Sequence, residues 1–311
     1  MSDHYRQKRY LLMTLDPLHV GAGGNRLGRV DMSIVREPGT KLPKIPGTSL
    51  HGAIRHYAAV RYDKLACAGS GQGRNGHCKD PQCPICYTFG YLKGQDGGQS
   101  GAVNIGDARL LLFPVYSLAG PVWVTCPSVL AEFQAEAADP GDGVGLPQSL
   151  QTHVHLNLGW LMLPKTDAPF ALPETVPGIP DAIRERAILV SDKLFGQIVN
   201  SNLEVRTSVS IDPETGAASD KALFTYEAIP RAALLWLDGV EDDFKGKFQP
   251  TDKKYDWDAQ AHNAGEALRE EWKQPLDVVT AGLKLAAMLG IGGMGTRGFG
   301  RVRTEAHWEV K

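Results

Sequence analysis

The stretch GGMGTRGFGRV, residues 292 to 302, carries the Gly-x-Gly-x-x-Gly spacing of a dinucleotide-binding turn at Gly293, Gly295 and Gly298. That turn binds a pyrophosphate only between a strand and a following helix, because the helix N-terminus faces the phosphate charge. Here the order is reversed: the apolar periodicity of residues 275–289 predicts a helix before the glycines, and the alternation after them predicts a strand. The sequence therefore excludes a nucleotide-cofactor turn and predicts a helix, a glycine loop and a strand.

Two arginines, Arg297 and Arg301, lie in or next to this loop. Successive backbone amides in a glycine loop can bind phosphate oxygens of any origin, including those of nucleic acid. The same residues also suit a tight structural turn. By itself the loop favours the structural turn, and the phosphate contact stays open as the alternative.

Composition limits the classes of function. The chain has 311 residues, enough for one large domain or two, and a formal net charge of −2 at pH 7. Any contact with nucleic acid must therefore depend on local arginines rather than on overall positive charge. No apolar run approaches the length of a membrane span, and the N-terminus lacks the apolar segment of a signal peptide, which predicts a cytoplasmic protein without a membrane partner.

Four of the five cysteines lie in CAGSGQGRNGHCKDPQCPIC, at Cys67, Cys78, Cys83 and Cys86. Cys83-x-x-Cys86 directs two thiolates at one ion, and Cys78 or the adjacent His77 can supply a third ligand. A disulfide framework does not suit the cytoplasm, and a redox Cys-x-x-Cys needs a preceding strand that is not indicated here. We predict a structural Zn²⁺ site, with Cys67 or His77 as the fourth ligand.

The other segments alternate strands and helices without the regular rhythm of a parallel barrel. A first strand is followed by a helix over 47–66, with Thr48 or Ser49 as its N-cap, and a later segment, 205–226, has the pattern of a hairpin. Residues 139–180, rich in Pro and Gly, predict an irregular insertion, although THVHLNLGWLML, residues 152–163, could form a strand. This arrangement favours an α+β fold built on an antiparallel sheet.

Several of these segments occur in an order that is informative as a whole: REPGTKLPKIPGTSLHGAIR, CPICYTFGY, NIGDARLLLFPVYSLAGPVWVTCP, IDPETGAASDKALFTYEAIP and the terminal GGMGTRGFGRV. In this order they resemble the RAMP superfamily of CRISPR proteins, and more narrowly the backbone subunit of type III-B (Cmr-type) effector complexes. The resemblance runs from residue 10 to residue 303. The motifs PGTSLHGAIR and GGMGTRGFGRV are shared across the superfamily, whereas DARLLLFPV with WVTCP indicates the type III-B subunit rather than its type III-A counterpart.

The resemblance implies a fold and a set of partners. It implies one RAMP domain over 1–311 with an RRM-like (ferredoxin-like) antiparallel core, a zinc loop at 66–100, the irregular insertion at 139–180 and a thumb hairpin at 205–226. It also implies that copies of the chain form a helical filament along a guide crRNA, together with other type III effector subunits. Base pairing between guide and target RNA would then supply specificity, which is compatible with the modest net charge.

The resemblance also implies which residues contact RNA. The SLHGAIR helix and the terminal glycine loop would lie along the guide backbone, where contacts carry no sequence information. The family usually has lysine where this chain has His51, so its charge near neutral pH stays open. Arg206 belongs to the thumb, which would wedge between guide and target and displace a base. The implied RNA-binding residues are Ser49, His51, Arg55, Arg206, Gly293, Gly295, Thr296, Arg297, Gly298 and Phe299.

Asp31 closes the loop after the first strand, in GRVDMSIVRE, where the family carries its target-cleaving aspartate. Such a carboxylate can hold Mg²⁺ or Mn²⁺, or orient the ribose 2′-hydroxyl for in-line attack on the adjacent phosphorus. The resemblance therefore implies a metal-dependent endoribonuclease that acts on guide-paired target RNA. From the residues alone, a turn cap is the better interpretation of Asp31. His19, as a base, and Glu227 are lesser candidates.

Three functions stay open at this stage. The first is the guide-bound ribonuclease subunit, and the second is a non-catalytic crRNA-binding scaffold with the same fold. The third is a metal-independent crRNA-processing endoribonuclease of the same superfamily, with His19 as its base. Cleavage by the assembled complex separates the first two, and sensitivity to chelators separates the first from the third.

Overall fold

The computed structural model describes residues 5–23, 30–62, 64–69, 77–78, 80, 83–94, 97–218, 223–248 and 272–310. Parts of the loop before Asp31 (24–29), of the predicted zinc loop and of the predicted thumb hairpin (219–222) lie outside the described residues.

The secondary structure alternates strands and helices as the sequence predicts. The strands are β1 (Tyr5–Thr14), β2 (Lys44–Ile45), β3 (Tyr91–Gly94), β4 (Gly97–Gln99), β5 (Val103–Ile105), β6 (Ala108–Ser117), β7 (Gly120–Thr125), β8 (His155–Leu158), β9 (Leu161–Pro164), β10 (Ala187–Leu189), β11 (Glu204–Ser208), β12 (Phe224–Ala228), β13 (Leu234–Asp242) and β14 (Val302–Glu309). The helices are α1 (Gly47–Arg61), α2 (Pro84–Phe89), α3 (Pro127–Ala131), α4 (Asp181–Arg184), α5 (Asp192–Ser201) and α6 (Pro275–Leu289).

The main sheet has the strand order β10-β7-β6-β13-β1-β14, and β2 and β5 pair with β6 and β13. β1 lies antiparallel between β13 and β14, so that Leu11 is opposite Trp236 on one side and Ala306 on the other. β6 is antiparallel to both of its neighbours, whereas β10 joins β7 in parallel. The predicted α+β fold on an antiparallel sheet is therefore confirmed.

The long helices α1 and α6 pack against each other. A Cβ at Gly282 of α6 would lie 2.4 Å from the carbonyl oxygen of Ile54, so only glycine allows this close approach. On the sheet side, the Tyr10 hydroxyl of β1 lies 3.0 Å from Thr280 Oγ1 of α6. Within the described ranges, no helix combines the length and the apolar character needed to span a bilayer.

The start of α1 differs from the sequence prediction. Its N-cap is Pro46, and Thr48 and Ser49 lie inside the first turn, so the prediction that one of them caps the helix is wrong. The reason is an external acceptor: the Gly47 amide donates to Asp107 Oδ1 at 2.7 Å. A carboxylate at a helix N-terminus satisfies free amides and interacts favourably with the helix dipole.

The predicted hairpin over 205–226 is confirmed. β11 and β12 pair antiparallel, with Arg206 opposite Tyr226. At the described part of the tip, the Asp212 amide donates to the Ala217 carbonyl at 2.8 Å and the Gly216 amide donates to the Asp212 carbonyl at 2.8 Å. We call β11, β12 and the residues between them the thumb hairpin.

Residues 139–180 contain regular structure where the sequence also allows a strand, over 152–163. β8 and β9 form an antiparallel pair joined by a turn at Gly159, which has a φ of +66°. Leu156 and Leu158 of β8 are fully buried. The strand that the sequence allows over 152–163 is therefore present, as two short paired strands rather than one.

Candidate functional site

Asp31 lies against the base of the thumb hairpin and is exposed to solvent. Its Oδ2 accepts hydrogen bonds from the Thr225 amide at 2.7 Å and from the Thr225 hydroxyl at 2.9 Å. These hydrogen bonds, the backbone one first, hold the pKa of the Asp31 carboxyl below its usual value, so the group is ionised at neutral pH. Within the described residues, Oδ1 accepts no hydrogen bond, which leaves this oxygen available to a ligand.

The segment that follows Asp31 is also fixed to the thumb hairpin. The Glu227 amide of β12 donates to the Met32 carbonyl at 3.0 Å, and a parallel bridge joins the same two segments. Arg36 Nη2 lies 2.9 Å from Glu227 Oε2, and Arg36 Nε donates to Asn200 Oδ1 of α5 at 2.9 Å. The position of Asp31 is thereby tied to β12. Sequence reasoning missed Arg36, since nothing near it in the chain indicates a partner on β12.

The two lesser catalytic candidates are buried: His19 is 4 % exposed and Glu227 is 8 % exposed. The Glu227 carboxylate is the partner of Arg36, and the Glu227 carbonyl lies 2.6 Å from His19 Nδ1. The His19 carbonyl in turn accepts a hydrogen bond from the Gly293 amide at 2.9 Å. Both residues join segments of the site to one another, an arrangement that suits support rather than proton transfer to a bound substrate.

The glycine loop, residues 290–300, connects α6 to β14 through two close contacts. A Cβ at Gly292 would lie 2.4 Å from the His19 carbonyl oxygen, and one at Gly300 would lie 2.5 Å from the Ile291 carbonyl oxygen. Both glycines also have positive φ, so no other residue fits. Five of the predicted RNA contacts in the loop are exposed: Gly293, Gly295, Thr296, Arg297 and Gly298.

The backbone of this loop offers free donors. Within the described part of the chain, the amides of Gly295 and Thr296 donate to no acceptor, whereas the Arg297 amide donates to the Met294 carbonyl at 2.8 Å. Free amides beside an arginine are the donors that a phosphate requires. The loop therefore has the chemistry of a phosphate contact.

Aromatic side chains join the glycine loop to the thumb hairpin. Phe299 is 1 % exposed and packs edge-to-face on Tyr226, with ring centroids 5.3 Å apart. The Arg206 guanidinium lies 4.7 Å from the Phe299 ring centroid, and that of Arg297 lies 5.8 Å from the Phe224 ring centroid. The Phe299 side chain is thus a packing residue, and the predicted RNA contact at this position is restricted to its backbone. The two arginines stay partly exposed above the cluster.

The predicted contacts on α1 differ from one another. Thr48 is exposed, Ser49 is half-buried, and the His51 ring packs edge-on against Phe89 at 5.2 Å. Burial, and then the charge of Arg55, lower the pKa of His51, so the imidazole is neutral at neutral pH. A contact from His51 to RNA would therefore be a hydrogen bond and not an ion pair.

Arg55 does not face the surface. It is 3 % exposed, and its Nε and Nη1 donate to the carbonyls of Cys67 at 2.8 Å and Gly90 at 2.6 Å. The prediction that Arg55 contacts a phosphate is therefore wrong for this conformation. The four-residue spacing from His51 correctly places both on one side of α1, but that side packs against the segments that carry the cysteines.

The four predicted cysteines converge. The Sγ atoms of Cys67, Cys78, Cys83 and Cys86 all lie within 4.8 Å of one another, and those of Cys67 and Cys83 are 3.8 Å apart. A tetrahedral site with Zn–S bonds of about 2.3 Å has S–S edges of about 3.8 Å, so the geometry fits such an ion. The cysteine tetrad, as we call these four residues, could hold a metal.

The protonation of the tetrad is uneven. Contacts with Cys67 and Cys86 lower the pKa of Cys83, and the contact with Cys83 raises the pKa of Cys67. Ionising all four neighbouring thiols requires a cation in the centre. The His77 ring stacks on Tyr91 at 4.1 Å, and the group of converging donor atoms contains Cys67 instead, which favours Cys67 as the fourth ligand.

Comparison with known proteins identifies relatives over most of the chain. A family model described as the RAMP superfamily matches residues 11–303. The CRISPR system Cmr endoribonuclease Cmr4 of Pyrococcus furiosus is 29 % identical over 253 residues, which are 74 % of this chain and 80 % of that protein.

Solved structures share the architecture nearly end to end. The crystal structure of oligomeric Cmr4 from Pyrococcus furiosus superposes with a TM-score of 0.62 at 21 % identity, covering 99 % of this chain and 100 % of that chain. A chain of the type III-B Cmr-beta complex bound to cognate target RNA, determined by cryo-EM, superposes with a TM-score of 0.61 at 14 % identity, covering 97 % and 98 %. At these low sequence identities, the structural similarity establishes a shared fold and nothing more.

Proposed function

Because the chain belongs to the RAMP superfamily, we propose that it is a backbone subunit of a type III-B CRISPR effector complex. In this proposal, copies of the chain bind guide crRNA as a filament, associate with other effector subunits and cleave complementary target RNA at regular intervals. The names of the relatives support each element: an endoribonuclease, an oligomer, and a type III-B complex bound to target RNA.

One observation of this structure carries the proposal. Three segments far apart in the chain meet at one place: the exposed Asp31, the thumb hairpin and the glycine loop with its free amides. An ionised carboxylate, two partly exposed arginines and unpaired backbone donors together suit a polyanionic, non-sequence-specific ligand. The cleavage residue and the backbone contacts would thus share one surface.

The finer description of the fold also belongs to the proposal. The central strands lie in the order β14-β1-β13-β6, and with α1 and α6 they follow the chain order strand, helix, strand, strand, helix, strand. This is the arrangement of a ferredoxin-like unit and supports an RRM-like core within a single domain, 1–311. The zinc loop (66–100), the segment 139–180 and the thumb hairpin would be insertions into that core.

Asp31 is the catalytic residue in this proposal. Oδ2 is held by Thr225, and Oδ1 would hold Mg²⁺ or Mn²⁺ together with RNA oxygens, since hard divalent cations prefer oxygen ligands. The ion would supply charge for the phosphate that the ribose 2′-hydroxyl attacks. Because Asp31 is tied to β12, each cut would fall beside the base that the thumb hairpin displaces, which explains regular spacing along a filament.

The cysteine tetrad would hold a structural Zn²⁺. The support is its edge length, its four thiol donors and its burial, since three of the four cysteines are buried. Reduced, metal-bound cysteines also agree with the cytoplasmic location that the sequence predicts.

The proposal is tested by purifying the assembled complex and extracting its nucleic acid. We expect an RNA of defined length to co-purify, and complementary RNA to be cut into fragments that differ by a constant number of nucleotides. A complex that carries no RNA would contradict the proposal.

Two other outcomes would support the alternative functions. Binding of complementary RNA without cleavage would support the non-catalytic scaffold, in which Asp31 only caps the hairpin through its contact with Thr225. Cleavage that persists in EDTA would support the metal-independent alternative, although the burial of His19 argues against a base at that position.

A second expectation concerns the guide contact of the glycine loop. Arg297→Gln should weaken binding of unrelated guide RNAs by a similar factor, about 3- to 10-fold, and should reduce the slope of log affinity against log salt by about 0.7, because one phosphate contact to a single strand is lost. The matched control is Arg303→Gln on β14, an exposed arginine that is paired with Glu305 at 2.8 Å and lies outside the loop. Equal effects of the two variants, or an effect confined to particular guide sequences, would contradict the assignment.

A further inference from the structure

Arg55 is a buried cation that, within the described residues, has no carboxylate partner. It is 3 % exposed, and two of its nitrogens donate to carbonyl oxygens, Nε to Cys67 at 2.8 Å and Nη1 to Gly90 at 2.6 Å. Its third nitrogen, Nη2, is buried and, among the residues that the structure describes, donates no hydrogen bond. A buried guanidinium with an unused donor is costly unless negative charge lies nearby.

The surroundings of this guanidinium are the cysteine tetrad. Cys67 is a member of the tetrad, and Gly90 ends α2, the helix that carries Cys86. The guanidinium thus bridges the Cys67 segment and the end of α2, and the Cys67 segment together with α2 and its N-cap supplies three of the four thiols.

The charge of the tetrad depends on its chemical state. Four neutral thiols carry no charge, and neither does a disulfide with two thiols, so both would leave the guanidinium uncompensated. One thiolate among three thiols carries a charge of −1. Four thiolates around one divalent cation carry a net charge of about −2. Among these states, the metal-bound one places the most negative charge beside the buried guanidinium of Arg55.

We propose that Arg55 is the counter-charge and positioning residue of a divalent metal centre with four thiolate ligands in the cysteine tetrad. It offsets the excess negative charge of the centre, and its two carbonyl contacts hold the Cys67 segment and the end of α2 at the distance that a shared ion needs. Groups beyond the direct ligands commonly control metal affinity in this way. The proposal concerns the metal centre and does not depend on RNA binding or cleavage.

The test compares two neutral variants of buried arginines on α1 in the full-length chain. Arg55→Met removes the charge and both carbonyl contacts. Arg61→Met is the matched control, because Arg61 is 1 % exposed and its Nη1 donates at 3.4 Å to the Ala281 carbonyl of α6, away from the tetrad. Affinity for Zn²⁺ is measured by competition with a chromophoric chelator, and Co²⁺ loading is followed by its thiolate charge-transfer absorption.

We expect Arg55→Met to bind Zn²⁺ about 10- to 100-fold more weakly than the unaltered chain, as for other outer contacts of metal sites, and Arg61→Met to bind it within about 3-fold. Arg55→Lys, which keeps the charge, should recover part of the loss, and it replaces Arg55→Met if the methionine variant does not fold. Unchanged affinity in folded Arg55→Met, equal losses in both methionine variants, or an unaltered chain that binds neither ion would overturn the proposal.

Discussion

A complex built only from Asp31→Asn subunits should bind guide crRNA and complementary RNA as the unaltered complex does, and should cleave the target about 10²- to 10⁴-fold more slowly at every site. Asparagine keeps an oxygen that can accept from the Thr225 amide, so the anchor at Oδ2 is retained while the charge of the carboxylate is lost. The loss should extend to all positions because each copy in the filament contributes its own Asp31. The measurement is the cleavage rate of end-labelled target RNA under single-turnover conditions.

Thr225→Val supplies the matched comparison. It removes the hydroxyl that donates to Asp31 Oδ2 at 2.9 Å but keeps the backbone amide that donates at 2.7 Å. We expect an intermediate loss of cleavage, roughly 3- to 10-fold, with unchanged target binding, because the carboxylate stays charged but is held by one hydrogen bond fewer. If Asp31 only capped the hairpin, both variants would alter stability and leave the evenly spaced cleavage intact.

The chemistry predicts the product and the response to pH. A 2′-hydroxyl nucleophile leaves a 2′,3′-cyclic phosphate, and EDTA should stop the reaction of the unaltered complex. Hydrogen bonds from Thr225 lower the pKa of Asp31, so the carboxylate stays ionised at pH values somewhat below the usual pKa of an aspartate. The stabilisation that these hydrogen bonds give is lost only when the pH falls through the lowered pKa. Protonation of Asp31 should therefore not limit cleavage near neutral pH.

The parts of the fold that depend on local periodicity could be predicted from sequence. The helix before the glycines, the strand after them and the hairpin all follow from short-range patterns, and each is present. The convergence of the four cysteines could also be predicted, because all four metal-ligating side chains lie within one short segment of the sequence.

The contacts that define the site could not be predicted in this way. Asp31 meets Thr225 across 194 positions of sequence, and neither residue has a local feature that indicates the other. For Arg55, helical spacing indicates which neighbours share its side of α1 but not whether that side faces solvent or protein, and the residue is buried. Family resemblance indicates that these positions matter, while only the packed structure separates an exposed carboxylate from a buried arginine.

The second large effect is expected at the cysteine tetrad. The unaltered chain, prepared without chelator, should contain about one zinc ion, and the double variant Cys83→Ser, Cys86→Ser should contain none. Cys83 and Cys86 are 0 % and 1 % exposed, so loss of the ion leaves hydroxyl groups and the remaining thiols buried without ligand bonds. The binding of structural zinc contributes about 10–16 kcal/mol to the folding free energy of isolated zinc-finger peptides. We expect a smaller contribution to the stability of a protein with a larger hydrophobic core.

For this chain we expect a loss of at least about 3 kcal/mol in the free energy of unfolding, which corresponds to a fall in Tm of roughly 5–10 °C. The matched control is Cys126→Ser, which alters a cysteine that is 2 % exposed and lies 3.5 Å from the Ser128 hydroxyl, outside the tetrad. That variant should keep its zinc, and elemental analysis with thermal unfolding measures both quantities. A chain that contains no metal before substitution, or one that loses as much zinc from Cys126→Ser as from the double variant, would contradict the assignment. If Cys126→Ser keeps its zinc but has a lower Tm, burial of a hydroxyl group is by itself enough to destabilise this core. The further decrease in stability of the double variant would then measure the contribution of the zinc ion.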